Sequence, residues 1–164
     1  MRKIGLLSDT HGTVDLRILN FFAECDEIWH AGDIGNLETA EILSGIKPLV
    51  AVHGNVDDYR VRSLYPEIIR FRCEDVDVLM MHIGGYPERY EAKALRLIKE
   101  KAPGLFISGH SHILKAGYDK HFQLLHINPG AAGNSGIHQV KTAVRFRIHQ
   151  QNISQLEILE ISRK

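Results

Sequence analysis

The chain has 164 residues, 44% apolar and 24% charged, the size and make-up of one globular domain, expected to span residues 1–164 and to bury enough surface to fold without disulfides. Twenty basic side chains balance twenty acidic ones, which argues against a general nucleic-acid or anionic-membrane binder, and no apolar run approaches a membrane span. Cys25 and Cys73 stand apart with no CxxC, and the N-terminus lacks a signal-peptide pattern, so a reducing cytoplasm is the expected compartment.

Residues 3–7 read as an apolar strand, 15–24 as a helix with Leu16, Leu19, Phe22 and Ala23 on one face, and 27–30 as a second strand. A helix over 37–46 and a strand over 48–52 continue the rhythm, which implies parallel strands joined by helical crossovers. Strands follow over 68–71 and 76–81, then a helix over about 88–102 ended by Pro103-Gly104, then a strand over 105–108. The remainder is mostly β: 115–118, 124–127, 143–149 and 155–161. Two packed sheets with helices outside account for this order. A doubly wound single sheet is the competing architecture.

Ten histidines are many for this length, and their placement gives them meaning. Ser8-Asp9-Thr10-His11-Gly12 follows the first strand, His30-Ala31-Gly32-Asp33 the second, and His53-Gly54-Asn55-Val56-Asp57 the third. His82 closes the strand ending in Met80-Met81, and Gly109-His110-Ser111-His112 follows the strand at 105–108. Residues i and i+2 of an extended segment point the same way, so Asp9 and His11 converge, and so do His110 and His112. Ligands in open α/β folds bind beyond the carboxyl ends of strands. One such motif is ordinary turn or cap chemistry. Five on five successive strand ends are a site. Asp9, His11, Asp33, Asn55, His82, His110 and His112 form a carboxylate–imidazole set without thiolate, suited to Mn²⁺, Fe²⁺, Zn²⁺, Co²⁺ or Ni²⁺ rather than Ca²⁺. Seven ligands exceed one tetrahedral zinc and suffice for two ions if one carboxylate bridges.

The series Asp9-x-His11, Gly32-Asp33, Gly54-Asn55, His82 and Gly109-His110-Ser111-His112 resembles, in the same order, that of the calcineurin-like metallophosphoesterases. The short chain, the His30-Ala31-Gly32-Asp33 form and Asn128-Pro129-Gly130 resemble the small YfcE-type phosphodiesterase branch. The resemblance implies an α/β fold, a four-layer α-β-β-α sandwich of two mixed sheets flanked by helices. It also implies two metal ions, Mn²⁺ favoured: Asp9, His11, Asp33 and His112 hold the first, and Asp33, Asn55, His82 and His110 the second, with Asp33 bridging. Phosphoester hydrolysis, with a diester the favoured substrate, follows by in-line attack of a metal-bridging hydroxide, with Asp33, Asn55 and His82 acting through it. Histidine ligands must be neutral, so activity is expected to fall below about pH 6.5.

Two departures stand out. The family's usual histidine after the Gly-Asn asparagine is Val56 here, and the aspartate three residues after the bridging one is Asn36. Neither can donate a proton at neutral pH. His30 and His53 are the nearest substitutes, read first as supports of the ligands. Arg60 and Arg62 read as surface residues before phosphate contacts. His121, His126, His138 and His149 read as surface or β-face residues, and 56–65, 84–90 and 131–139 as the loops that set specificity. The expected partner is a small phosphoester, with neither membrane nor nucleic acid, and homo-oligomerisation stays open. A phosphomonoesterase is the alternative within the same chemistry. A non-catalytic protein-binding scaffold, like the retromer subunit of similar fold, is the alternative outside it.

Overall fold

Alternation along β1 (Arg2–Leu7) sets the layers. Ile4 and Leu6 join a core between two sheets, whereas Leu7 joins a second core on the opposite face. Gly5 shares that second face, where a side chain would meet the Phe22 ring at 2.5 Å. The computed structural model describes residues 1–163. α1 (Leu16–Phe22), β2 (Glu27–His30), α2 (Leu37–Ile46) and β3 (Leu49–Ala51) follow. β1, β2 and β3 are parallel neighbours, as the crossover rhythm requires. β11 (Val140–His149) and β12 (Asn152–Ser162) return antiparallel on the far side of β1. The first sheet thus has the order β12-β11-β1-β2-β3.

The second sheet takes β4 (Ile68–Cys73), β5 (Val76–Met81), β8 (Leu105–Ile107), β9 (Leu114–Asp119) and β10 (Leu124–Pro129) in the order β4-β5-β8-β10-β9. Here β5, β8 and β10 are parallel, and the outer pairs are antiparallel. Both sheets are therefore mixed, and the single doubly wound sheet is excluded. Val78, Met80, Leu105, Ile107 and Ile127 face Ile4, Leu6, Trp29, Val144 and Phe146 across the central core. Trp29 meets Phe71 edge-on with ring centroids 5.0 Å apart, so truncating Trp29 would cost about 3–5 kcal/mol. Ile18, Phe22 and Leu43 cover the outer face of the first sheet. Ala94 and Ile98 of α4 (Ala92–Glu100) cover that of the second. The result is the four-layer α-β-β-α order.

Three elements differ from expectation. α3 (Tyr59–Leu64) lies where a loop was read, its start capped by Asp58 accepting from Arg60 N and Val61 N. The helix expected from 88 begins at Ala92, because β6 (Gly85–Tyr86) and β7 (Arg89–Tyr90) pair as a hairpin first. The first helix is shorter than 15–24, and Asp15 is its cap rather than its first turn. Among the described residues no helix is long and apolar enough to cross a membrane.

Candidate metal centre

The turns after β1, β2 and β3 and those after β5 and β8 meet at one edge of the sandwich. Backbone bonds tie them together: Asp9 N to Gly32 O and His11 N to Asp33 O, both 3.0 Å, and Gly109 N to His82 O at 2.9 Å. Asp9, His11, Asp33, His110 and His112 all have positive φ, from 49° to 70°. Each such residue costs on the order of 1 kcal/mol or more, and that strain gathers characteristically at ligand clamps. Two glycines permit the approach. A Cβ on Gly54 would strike Asp33 Oδ1, and one on Gly109 would strike Ser8 Oγ.

Six of the seven expected ligands form two groups, Asp9 with His11 and His112, and Asp33 with His82 and His110, the donor atoms of each lying within 4.8 Å of one another. The groups adjoin. His11 Nε2 is 3.7 Å from both Asp9 Oδ1 and Asp33 Oδ2, and His82 Nε2 is 3.1 Å from Asp33 Oδ2 and 3.8 Å from Asp9 Oδ1. Asn55 sits at the rim and lines a cavity with His82.

Hydrogen-bond accounting decides what these nitrogens offer. His82 Nδ1 donates to Ala31 O at 2.8 Å, so its neutral ring turns a bare lone pair at Nε2 toward the Asp33 carboxylate. His138 Nε2 donates to Gly133 O at 2.9 Å, and His112 Nδ1 donates to His138 Nδ1 at 3.3 Å. That leaves the His112 Nε2 lone pair 3.2 Å from Asp9 Oδ1. Lone pair facing carboxylate is repulsive unless a positive charge lies between. Asp9 Oδ1, His11 Nε2 and His82 Nε2 are buried and meet no hydrogen-bond partner. A divalent cation among carboxylate and imidazole donors satisfies all three, so the donor set fits a metal. A proton is the other remedy. The Asp9 contact raises the pKa of His11 against burial, and burial pulls His82 down but Asp33 and Asp9 outweigh it. Burial likewise works to raise the Asp9 carboxyl, yet His11, His112, His82 and Ser8 hold it well below the usual range. Asp33 is lowered by His82 against the same opposing burial.

Supporting contacts explain the remaining residues. Ser8 Oγ donates to Asp9 Oδ2 at 2.7 Å, and His110 N donates to the same oxygen at 3.1 Å. Val56 N donates to Asp33 Oδ1 at 3.1 Å. The Val56 backbone thus orients the Asp33 carboxylate while its side chain stays in solvent. Asn36 caps α2, its Oδ1 accepting from Thr39 N. His30 accepts from Gly32 N at Nδ1 and bonds Thr10 Oγ1 through Nε2. Burial lowers its pKa to about 4, so it is a neutral brace. His53 bonds Tyr65 O through Nδ1 and lines the cavity beside Asn55. Arg62 donates to the carbonyls of Gly54, Asn55 and Asp57, clamping the loop. Arg60 lies beside the Tyr59 ring.

Sequence reasoning left three supports unassigned. Buried Asp57 accepts from Ile34 N, Gly35 N and Gly54 N. Asn128 Nδ2 donates to Gly109 O and Ser111 Oγ. His138, read as a surface or β-face residue, meets His112 instead. Asp57 was visible as the fifth residue of its motif and Asn128 through its Asn-Pro-Gly turn. His138 had no local signal.

Two cavities flank the histidines. One, about 460 Å³, is lined by His53, Asn55, His82 and the charged Arg62, Glu67 and Lys93. The other, about 400 Å³, lies on the His110 side and reaches His126. Ile83 and Glu91 line both.

Comparison with known proteins places this geometry. Residues 2–151 match the calcineurin-like phosphoesterase superfamily domain. A probable metallophosphoesterase of Methanocaldococcus jannaschii is 29% identical over 134 residues, 78% of this chain and 67% of that protein. Two solved structures share the fold. A novel archaeal phosphodiesterase has a TM-score of 0.75 at 19% identity, covering 96% of this chain and 99% of its own. Wild-type Vps29 of Entamoeba histolytica complexed with zinc has a TM-score of 0.74 at 16% identity, covering 98% of each chain.

Proposed function

The chain belongs to the calcineurin-like phosphoesterase superfamily, and on that premise we propose that it is a phosphodiesterase working with two divalent transition-metal ions. Asp9, His11, Asp33 and His112 would hold one ion, and Asp33, Asn55, His82 and His110 the other. Manganese is the first choice, with nickel, zinc, iron(II) and cobalt suited to the same donors. The observation that carries the reading is the trio of buried, unpartnered donor atoms, Asp9 Oδ1, His11 Nε2 and His82 Nε2, aimed into one space. When bound, two such ions supply Lewis acidity toward the phosphoryl oxygens and lower the pKa of water.

The protein's own share is preorganisation. Ala31 O and the His138–Gly133 relay fix which nitrogen of His82 and of His112 faces the centre. Ser8 Oγ, His110 N and Val56 N fix the carboxylates before substrate arrives. A diester has two organic arms, and two cavities flank His82 and His110, which supports diesters over monoesters. Asn36 is engaged in a helix cap and His30 in two internal bonds, so neither passes a proton to the leaving group. Aryl esters are accordingly expected to react at least about a hundred-fold faster than alkyl esters, the scale of a missing general acid. Comparable rates on the two would overturn this. The scaffold reading draws on likeness to Vps29 and is countered by a filled set of ligand positions.

Protein stripped with chelator, then assayed on bis(p-nitrophenyl) phosphate with and without Mn²⁺, tests the proposal. Activity restored by metal in the wild type and lowered at least about a thousand-fold in Asp33→Ala is expected. Inactivity of the folded protein with Mn²⁺, Ni²⁺ and Zn²⁺ would favour the scaffold.

A further inference from the structure

Outside the metal centre, one buried side-chain acceptor among the described residues has no partner: Nδ1 of His126. Its tautomer follows from its neighbour. Ser108 Oγ has a single hydrogen, given to Gly85 O at 2.9 Å, so it must accept from His126 Nε2 at 2.8 Å. His126 Nδ1 is therefore an unmet lone pair on a residue 1% exposed. Leaving such a group unsatisfied is costly, and exceptions of this kind call for a cause. Burial, with the Lys115 charge adding to it, takes the ring's pKa down to about 4, so at neutral pH Nδ1 can only accept.

His126 lines the cavity on the His110 side. Its cross-strand partner on β9 is Gly117, where an added side chain would meet nothing within 4 Å, so that flank is open. Ile83, Tyr86 and Ile113 give the cavity apolar walls. Lys115 Nζ lies 3.8 Å from the Tyr86 ring centroid, and Arg89 adds a second cation. A space of about 400 Å³ is within the range of small-ligand pockets. The opposite cavity is walled by charged groups, and its one orphaned acceptor, His82 Nε2, belongs to the metal centre.

We propose that this cavity seats the non-reacting arm of the phosphodiester, and that His126 selects an arm ending in a planar ring with an N–H or O–H donor on its edge. The proposal rests on the phosphodiesterase reading above. Apolar walls and an aromatic face receive the ring, Lys115 and Arg89 supply positive charge along the wall, and a small shift of the His126 ring, which solvent does not reach in this structure, brings its lone pair to the donor.

The test uses the Mn²⁺-loaded protein and two diesters with the same p-nitrophenyl leaving group. One carries thymidine at its 5′ oxygen, and the other carries N3-methylthymidine, which has the same ring without its donor. The wild type is expected to prefer thymidine by about ten-fold in kcat/KM, the worth of one hydrogen bond to a buried acceptor, mainly through KM. In His126→Leu the ratio should fall to within about two-fold of one. A wild-type ratio near one would overturn the proposal. A second readout needs no turnover and no variant: the ¹⁵N resonance of His126 Nδ1 in metal-free protein titrated with either nucleoside. A shift with thymidine alone supports the site, and no shift with either overturns it. If neither ester is hydrolysed but the resonance responds, the phosphodiesterase reading fails and the ring site stands. If both are hydrolysed equally and the resonance is silent, the ring site fails and the phosphodiesterase reading stands.

Discussion

The two sheets contribute unlike halves to the centre. β1 and β2 of the first sheet deliver both carboxylates, Asp9 and Asp33, on backbone held at φ 54°. β5 and β8 of the second deliver only imidazoles, His82, His110 and His112. Each sheet also buries one neutral histidine near the site. His30, in the first, has both ring nitrogens bonded. His126, in the second, has one bonded and one orphaned. His30 is finished internally, whereas the His126 lone pair waits for something outside the protein, as Asp9 Oδ1, His11 Nε2 and His82 Nε2 do at the centre. Negative charge needs support from its own fold, whereas a neutral imidazole can wait for a ligand at a smaller cost.

The widest separation of the halves is expected from paired truncations. Asp9→Ala should weaken Mn²⁺ binding about a thousand-fold, because it removes charge and leaves Ser8 Oγ and His110 N without their acceptor. His110→Ala, at an exposed ring, should cost nearer ten-fold. Competition with a fluorescent chelator measures both, and equal losses would erase the distinction between the sheets.

Acid should act on the two buried histidines next. Each folded pKa is near 4 against about 6.5 in the unfolded chain. The unfolded chain binds the extra proton between these values, so stability is full above pH 6.5, falls as pH drops toward 4, and levels below it. The fall is about 3 kcal/mol for each residue, read from urea midpoints between pH 7 and pH 4. At pH 7 the pair should part. His30→Gln breaks satisfied bonds and should destabilise by about 2 kcal/mol. His126→Leu removes an orphaned acceptor and should lie within about 1 kcal/mol of the wild type. Equal losses in the two would mean that His126 Nδ1 is satisfied after all.

The smallest effect concerns the relay behind His112. His138→Ala frees that ring to rotate and should weaken Mn²⁺ binding about ten-fold, with stability little changed. His138→Asn, which restores an acceptor near the Nδ1 position, should recover most of the affinity. No recovery would reduce His138 to a packing role.

The strand-end motifs were legible because they are local: an apolar run, a polar residue, then a glycine where the chain turns. An apolar run marked β5 at its observed bounds, and a helical pattern marked α2 at its own. The hairpin before α4 was not legible, since residues 88–91 carry helix-compatible side chains and pair only because Gly85 turns at φ 72° and Glu91 N reaches Gly84 O. α3 was missed because six residues are too few to display a period.

The sequence by itself determined the α/β class, the element order apart from α3 and the β6–β7 hairpin, and the seven candidate ligand positions at the strand ends, for these are written in contiguous residue patterns and in side-chain chemistry. Only the tertiary structure decided which nitrogen of His82 and of His112 faces the centre, that His138 backs His112, and that His126 lines a cavity with one nitrogen unpartnered. The reason is distance along the chain. His110 N meets Asp9 Oδ2 across 101 residues, and His82 Nδ1 meets Ala31 O across 51. Such contacts exist only once the central core has drawn the two sheets together, and no local pattern encodes that register.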